Sequence, residues 1–373
     1  MLFSQQISSS PRNRAIHREL NERLTLIRES LRRKGIGGFL ITNLFNVRYL
    51  TGFRGSSGFA LITGKHQVFV TDFRYREQAE QEVKGWDIMI EKGKRHSIIK
   101  KLIRSMSIGS LGFETSLTYE SYRDLLKCGA RLRPQRNVVE GMRAVKEEEE
   151  VSCIRESVSR AEKAFLDMKG YVRSGRRERE IALILEERLK KRGCNAVPFD
   201  IIVASGSNSA MPHARATEKR LSPGDLVVID WGGEADGYYS DMTRTLLLNG
   251  TDLSKKRAIY EVVLRANREA LLAVAPSIET REIDKAARDV IRAAGYGSFF
   301  GHGTGHGVGL EVHEFPRITW TKSQAVTEHM VFTVEPGIYI PGIGGVRIED
   351  MIFVKPGTSE ILTTLPKEPE LVE

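Results

Sequence analysis

Residues 226–245 read Leu226-Val-Val-Ile-Asp-Trp-Gly-Gly-Glu-Ala-Asp-Gly-Tyr-Tyr-Ser-Asp-Met-Thr-Arg-Thr245. An apolar run, the turn signal Ala235-Asp236-Gly237 and a second strand-like run predict a β-hairpin. Its expected centre lies midway between Asp230 and Asp241 and sets the two carboxylates opposite each other. Cross-strand partners lie about 4.5–5.5 Å apart. A second hairpin follows the same plan. Glu335 and Glu349 flank the turn Ile340-Pro-Gly-Ile-Gly-Gly345, again with the turn at their midpoint. Each acid sits among apolar neighbours: Asp230 ends Leu-Val-Val-Ile, Glu335 follows Val331-Phe-Thr-Val334, and Glu349 follows Val346 and Ile348. Burying unpaired carboxylates costs several kcal/mol each. Two such pairs in one space repel strongly, and divalent cations are the economical remedy, with His306 as a nitrogen ligand. Neutralisation by Arg244 and Arg347 is the competing reading, but two arginines do not balance four acids.

Outside these stretches the chain reads as an ordinary globular protein. Its 373 residues suit about two domains. The net charge of +9 concentrates in Arg12 to Lys34, Lys92 to Arg104 and Arg173 to Arg192. These stretches also carry apolar residues at helical spacing, so they read as solvated helix faces rather than a nucleic-acid surface. No aromatics alternate with the basic residues, as single-strand stacking would need. Three cysteines (Cys128, Cys153 and Cys194) without metal spacing suit a reducing compartment. No apolar stretch reaches the roughly 18 residues of a membrane span. Residues 1–14 lack a signal-peptide core and read as a disordered lead, so a cytoplasmic protein is expected.

Residues 15–35 predict an amphipathic helix through Leu20, Leu24, Ile27 and Leu31. Strands are expected at 39–42, 59–63 and 67–71, the last two forming a hairpin around Gly64-Lys65. This α/β domain occupies residues 15–140, with its boundary in the stretch 137–145. Glu147-Glu-Glu-Glu150 then opens a helix whose apolar face is Val151, Ile154, Val158, Ala161 and Phe165. A second helix is expected over 178–191, a strand over 199–204, then the first acidic hairpin. Helices at 254–274 and 280–294, a glycine-rich histidine segment and the second acidic hairpin complete residues 141–373. The repeated helix–helix–hairpin order predicts an α+β domain with pseudo-twofold symmetry and the acids at its centre.

The set Asp230, Asp241, His306, Glu335 and Glu349, with gaps of 11, 65, 29 and 14, resembles the dinuclear metal site of the creatinase/aminopeptidase ("pita-bread", M24) family. The strings Tyr239-Ser-Asp-Met-Thr-Arg-Thr245, Gly305-His-Gly-Val-Gly-Leu-Glu-Val-His-Glu314, Val334-Glu-Pro-Gly-Ile-Tyr339 and Gly345-Val-Arg-Ile-Glu-Asp350 carry the likeness. Asn46-Val-Arg-Tyr-Leu-Thr-Gly-Phe53 and Thr71-Asp-Phe-Arg-Tyr75 extend it to a creatinase-type N-terminal domain. Within the family the chain looks most like bacterial Xaa-Pro aminopeptidases (aminopeptidase P) and prolidases.

The resemblance implies two divalent ions, Mn²⁺ first, with Co²⁺, Zn²⁺ or Fe²⁺ as alternatives. It implies that Asp241 and Glu349 bridge them, that Asp230 completes one ion's ligands, and that His306 and Glu335 complete the other's. It further implies hydrolysis of the bond before a penultimate proline, with Glu335 moving the proton. His213, in Ser209-Ala-Met-Pro-His213, and His313 would stabilise the developing oxyanion. His302 matches a third family histidine. Taken singly, each of the three reads as an ordinary satisfied side chain. Arg347, two residues before Glu349 and therefore on its face of a strand, is read as balancing the acids and gripping substrate. Tyr339 shares that face, whereas Asp350 points away and reads as structural. Trp231, Phe299, Phe300 and Tyr339 are candidate walls for a proline pocket. A homodimer is also implied.

The expected activity is therefore that of a metallo-aminopeptidase acting on peptides with proline in second position. Prolidase, which cleaves only Xaa-Pro dipeptides, is the close alternative. The N-terminal domain argues against a methionine aminopeptidase, and the complete acid set against creatinase. A non-enzymatic binding protein on this scaffold is the alternative of another class.

Overall fold

The computed structural model describes residues 11–373 except Asp252, with side chains from Asn21 onward. Two compact units divide between Met142 and Arg143, two residues beyond the expected boundary. Of the expected disordered lead, residues 1–10 lie outside the described residues. Residues 11–14 are not part of a lead: the first helix runs Pro11–Lys34.

The first unit is built on a six-stranded mixed sheet. Its order is Asp87–Ile90, Gln67–Thr71, Phe59–Thr63, Gly38–Ile41, Ser110–Glu114, Arg131–Gln135. The hairpin at Gly64-Lys65 pairs Ile62 with Gln67, as its turn signal predicts. Leu24, Ile27 and Leu31 are buried along one side of the first helix. Helix Arg95–Ser105 buries Ile98, Ile99, Leu102 and Ile103 with Leu111 and Phe113 of the sheet.

The second unit repeats one motif. Helix Glu148–Lys169 starts at a capping box in which the Glu147 side chain meets the Glu150 amide and Glu150 the Glu147 amide. That explains the four consecutive glutamates without recourse to a tail. This helix packs with Glu178–Lys191, and both cover a sheet ordered Leu371–Val372, Met242–Leu248, Leu226–Trp231, Ile202–Ser205. Helices Ser254–Leu272 and Thr280–Ala293 form the second pair. They pack with a sheet ordered Glu314–Ile318, Gly305–Gly307, Val331–Val334, Asp350–Lys355, Thr358–Ile361. A β-bridge between Thr243 and Glu349 joins the two halves. This is the pseudo-twofold α+β architecture expected from the repeated order.

The two hairpins differ in how closely they follow expectation. In the second, Gly337 faces Arg347 and Val334 faces Asp350, so one continuous register sets Glu335 opposite Glu349. In the first, Asp230 faces Thr243 and not Asp241. The cause is the turn. Asp236 and Gly237 both have positive φ, 48° and 76°, as a type I′ two-residue loop requires, and Ala235 pairs with Tyr238. The hairpin centre moves one step along the chain, and Asp241 lies two residues before the partner of Asp230.

Trp231 is not a pocket wall. It is fully buried, stacks on Phe165 with centroids 4.4 Å apart, and donates from Nε1 to the Ala161 carbonyl at 3.0 Å. Truncating Trp231 to alanine is expected to cost roughly 3–5 kcal/mol of stability. Urea unfolding checks this, and a wild-type unfolding midpoint would return Trp231 to the pocket.

Candidate metal centre

The acids converge where the two hairpins meet. His306 lies on the short strand Gly305–Gly307, between Glu314–Ile318 and Val331–Val334. Glycines flank it because no side chain fits. A Cβ on Gly305 would stand 1.9 Å from the Thr333 carbonyl oxygen, and one on Gly307 2.0 Å from that of Phe315. His306 donates from Nδ1 to the Gly307 carbonyl at 3.1 Å. Its Nε2 therefore presents a lone pair to Glu335 Oε1 at 3.3 Å and Asp241 Oδ2 at 3.6 Å. Ligand atoms of Asp241, His306 and Glu349 all lie within 4.8 Å of one another. Thr243, from the bridge between the halves, donates to Glu349 Oε2 at 2.6 Å.

Arg347 ties several of these groups together. Its guanidinium donates to Asp230 Oδ2 at 2.6 Å, to Thr243 Oγ1 at 3.1 Å, to Tyr339 Oη at 2.8 Å and to the Pro212 carbonyl at 3.1 Å. His302 donates from Nδ1 to the Gly303 carbonyl, so its Nε2 accepts from Tyr339 Oη at 2.9 Å. Burial holds His302 near a pKa of about 4 and keeps it neutral. Arg244, the other arginine weighed as a counterion, turns away. It pairs with Asp350 at 2.8 Å and donates to four backbone carbonyls. Asp350 also accepts from Lys367 and Thr363, as its assigned structural place requires.

Among the described residues, Arg347 is therefore the one arginine hydrogen-bonded to any of the four buried or nearly buried acids. Burial, then Glu349, pushes the Asp241 carboxyl well above its usual range. Burial, then Glu335, does the same to Glu349. Burial lifts Glu335 to about 7. Burial, with His313 nearby, lowers His306 to about 3, so no imidazolium offsets the negative charge. Asp230 Oδ1 is buried without a hydrogen-bond partner. Four oxygen donors, one neutral imidazole nitrogen and an orphaned carboxylate oxygen fit hard divalent cations.

All nine residues singled out from the sequence line one cavity of about 650 Å³: Asp230, Asp241, His306, Glu335, Glu349, His213, His302, His313 and Arg347. Its apolar walls are Phe199, Ile202, Ala214 and Ile318, not the aromatics first considered. Phe300 packs in the core instead. His213 is carried on a loop anchored by Glu178, a fully buried carboxylate that accepts from Ser205, Asn208 and Thr217. Sequence reasoning missed Arg317, which lines the same cavity. The register pairs it with His306 across the strands, it is exposed, and no carboxylate pairs with it among the described residues. Its signal was a hairpin between the histidine segment and Glu314–Ile318, which the glycines concealed.

Without cations, this cluster sets a pH dependence. Between about pH 5 and 7 the folded chain retains a proton on Glu335 that the unfolded chain has released. Stability therefore falls as pH rises through that window, by on the order of 3 kcal/mol from this group. Mn²⁺ should replace the protons and restore stability above pH 7. Urea midpoints at pH 5 and 8, with and without Mn²⁺, check this. A chelated sample that grew more stable with pH would contradict the charge count.

Comparison with known proteins agrees with this geometry. Metallopeptidase family M24 matches residues 152–356, and the Creatinase/Prolidase N-terminal domain matches residues 23–145. The chain is 39% identical to an Xaa-Pro dipeptidase of Pyrococcus horikoshii, over 94% of this chain and 99% of that one. In structure it is similar to an Xaa-Pro dipeptidase from Bacillus anthracis, with a TM-score of 0.92 at 39% identity over 95% of this chain and 100% of that one. It is also similar to an X-Pro aminopeptidase from Thermotoga maritima, with a TM-score of 0.85 at 35% identity over 94% and 99% of the two chains. Taken with the converging acids and the twofold-repeated unit around them, these matches show that the chain belongs to metallopeptidase family M24, with a creatinase/prolidase N-terminal domain ahead of its metallopeptidase domain.

Proposed function

We propose that this chain is a metal-dependent Xaa-Pro dipeptidase. One observation carries the choice of substrate. The acids share the cavity with Arg317, across the strand from His306, a cation without a carboxylate partner among the described residues. A short peptide with both termini free matches that polarity. Its amino group meets the acids and its carboxylate meets Arg317 as a charge-assisted pair. The named relatives at 39% identity act on Xaa-Pro dipeptides according to their names, so this reading takes precedence over the aminopeptidase reading of the sequence.

Asp230, Asp241, His306, Glu335 and Glu349 would hold the divalent cations. Mn²⁺ suits the oxygen-rich donor set. When bound, the cations supply Lewis-acid activation of water and of the peptide carbonyl. The protein's own groups do the rest. Glu335 takes a proton from water at its carboxylate and returns it to the leaving imino nitrogen, a role suited to a carboxylate that lines the cavity beside His306. His213 and His313, both on the cavity wall, donate toward the carbonyl oxygen as charge develops there. Arg347 holds one oxygen of Asp230 and leaves the other free for a ligand. The apolar walls at Phe199, Ile202, Ala214 and Ile318 accept the proline ring, whose amide nitrogen has no hydrogen to donate.

Mn²⁺-loaded protein should cleave Xaa-Pro dipeptides with a higher kcat/KM than Xaa-Pro-Yaa tripeptides. Replacing Arg317 by methionine should lower the dipeptide value roughly tenfold to a hundredfold, the worth of a hydrogen bond to a charged group. The tripeptide value should move less. Preference for tripeptides in the parent protein would restore the aminopeptidase reading. Turnover of neither, with Mn²⁺ bound, would favour a binding role.

A further inference from the structure

The segment Gly301-His-Gly-Thr-Gly-His-Gly-Val-Gly309 carries two of the site histidines on a backbone with five glycines. Glycine loses the most conformational freedom on ordering, so such a segment does not hold His302 and His306 in place by itself. The structure supplies an outside support. Asp284 and Arg288 stand one turn apart on helix Thr280–Ala293, away from the acids. Arg288 binds both carboxylate oxygens of Asp284 at 2.9 Å. The same guanidinium donates to the Phe300 carbonyl at 3.0 Å and to the His302 carbonyl at 2.9 Å. It lies between two rings, 4.2 Å from the Phe300 centroid and 4.1 Å from that of Trp320. Asp284 Oδ1 accepts from Thr304, from the hydroxyl at 2.8 Å and the amide at 3.2 Å. The Thr304 carbonyl in turn receives the Glu335 amide at 2.8 Å.

This ion pair thus reaches the backbone on both sides of His302 and, through Thr304, two residues before His306, the backbone of Glu335. Replacing a buried ion pair by apolar packing is often neutral for stability, so stability alone does not account for a pair that grips four points of a glycine-rich loop. We propose that Asp284, Arg288 and Thr304 are positioning residues for the metal centre: they hold the His306 imidazole and the Glu335 carboxylate, 3.3 Å apart, close enough to serve one cation. Neither Asp284 nor Arg288 lines the cavity. They act through the loop backbone, as supports of metal ligands do. The inference rests on the metal centre proposed above and assigns its rigidity to residues outside it.

The test is Mn²⁺ affinity, titrated by the electron paramagnetic resonance signal of the free ion, in parent, Thr304→Val, Thr304→Ser and Arg288→Gln proteins. Thr304→Val removes the hydroxyl that meets Asp284, and Thr304→Ser keeps it. We expect Thr304→Val and Arg288→Gln to weaken Mn²⁺ binding about 10- to 100-fold, with Thr304→Ser close to the parent. Thermal unfolding without metal identifies any variant that fails to fold. If Arg288→Gln is such a variant, the threonine pair decides. Parent-like affinity in Thr304→Val overturns the proposal, and so does equal loss in Thr304→Val and Thr304→Ser. A parent protein that binds no Mn²⁺ fails differently, because it removes the metal centre itself. Absence of peptide turnover leaves the titration readable.

Discussion

The structure is organised around an imbalance of charge. Asp230, Asp241, Glu335 and Glu349 meet on one cavity, and Arg347 is the one arginine hydrogen-bonded to any of these carboxylates among the described residues. The neutral His306 adds a donor without adding a positive charge. A folded protein tolerates such a cluster by protonating it or by binding cations, and the first remedy would leave the donors unable to act as ligands. The surroundings keep the imbalance in place. Arg244, one residue from Thr243, could have entered the cluster, but it is committed to Asp350 and four carbonyls on the other face. Glu349 and Asp350 are adjacent in the chain and are sorted to opposite sides, one left in charge deficit and the other compensated by Arg244 and Lys367.

That sorting depends on the backbone. Thr243 is both the cross-strand partner of Asp230 and the bridge partner of Glu349, so a single residue registers the two hairpins against each other. Its hydroxyl donates to Glu349 and accepts from Arg347. A slip of one residue in either hairpin would turn its acid to the opposite face. The helix pairs behind the sheets bury Trp231 and Phe165 on one side and Ile283, Ala287 and Ile291 on the other, and they hold that register from outside.

Much of this was legible before any coordinates. The periodicities located the helices because their apolar faces are long and end in plain signals: Glu178–Lys191 matches residue for residue. The second hairpin was legible because its turn and both acids share one centre, and the strand pairing keeps that centre. The first was misjudged by one step because symmetry between the two aspartates was assumed. The backbone obeyed the Asp236-Gly237 turn instead, since the two positive φ values are available to that dipeptide and not to Ala235-Asp236. The aromatics were misassigned for a related reason. A tryptophan beside a ligand strand alternates to the opposite face, and Trp231 follows Asp230 directly, so it enters the core.

Substrate length was the least legible property, and the reason is physical. The candidate ligands are legible from their gaps because each must place one atom within a few ångströms of the others, and strand register makes those gaps visible in the sequence. The far end of a peptide is read differently. It depends on which side chain the fold leaves unpaired a strand away. Arg317 lies opposite His306 next to a bulge between His306 and Gly307, where the pairing of Gly305–Gly307 with Glu314–Ile318 shifts. No spacing rule announces a bulge in a run of alternate glycines. The same irregularity brings the Phe315 carbonyl within 2.0 Å of where a side chain on Gly307 would begin. A close approach forces glycine there, and the register shift beside it accompanies the placement of Arg317 on the cavity, so that residue is placed by backbone packing rather than by its own position in a motif.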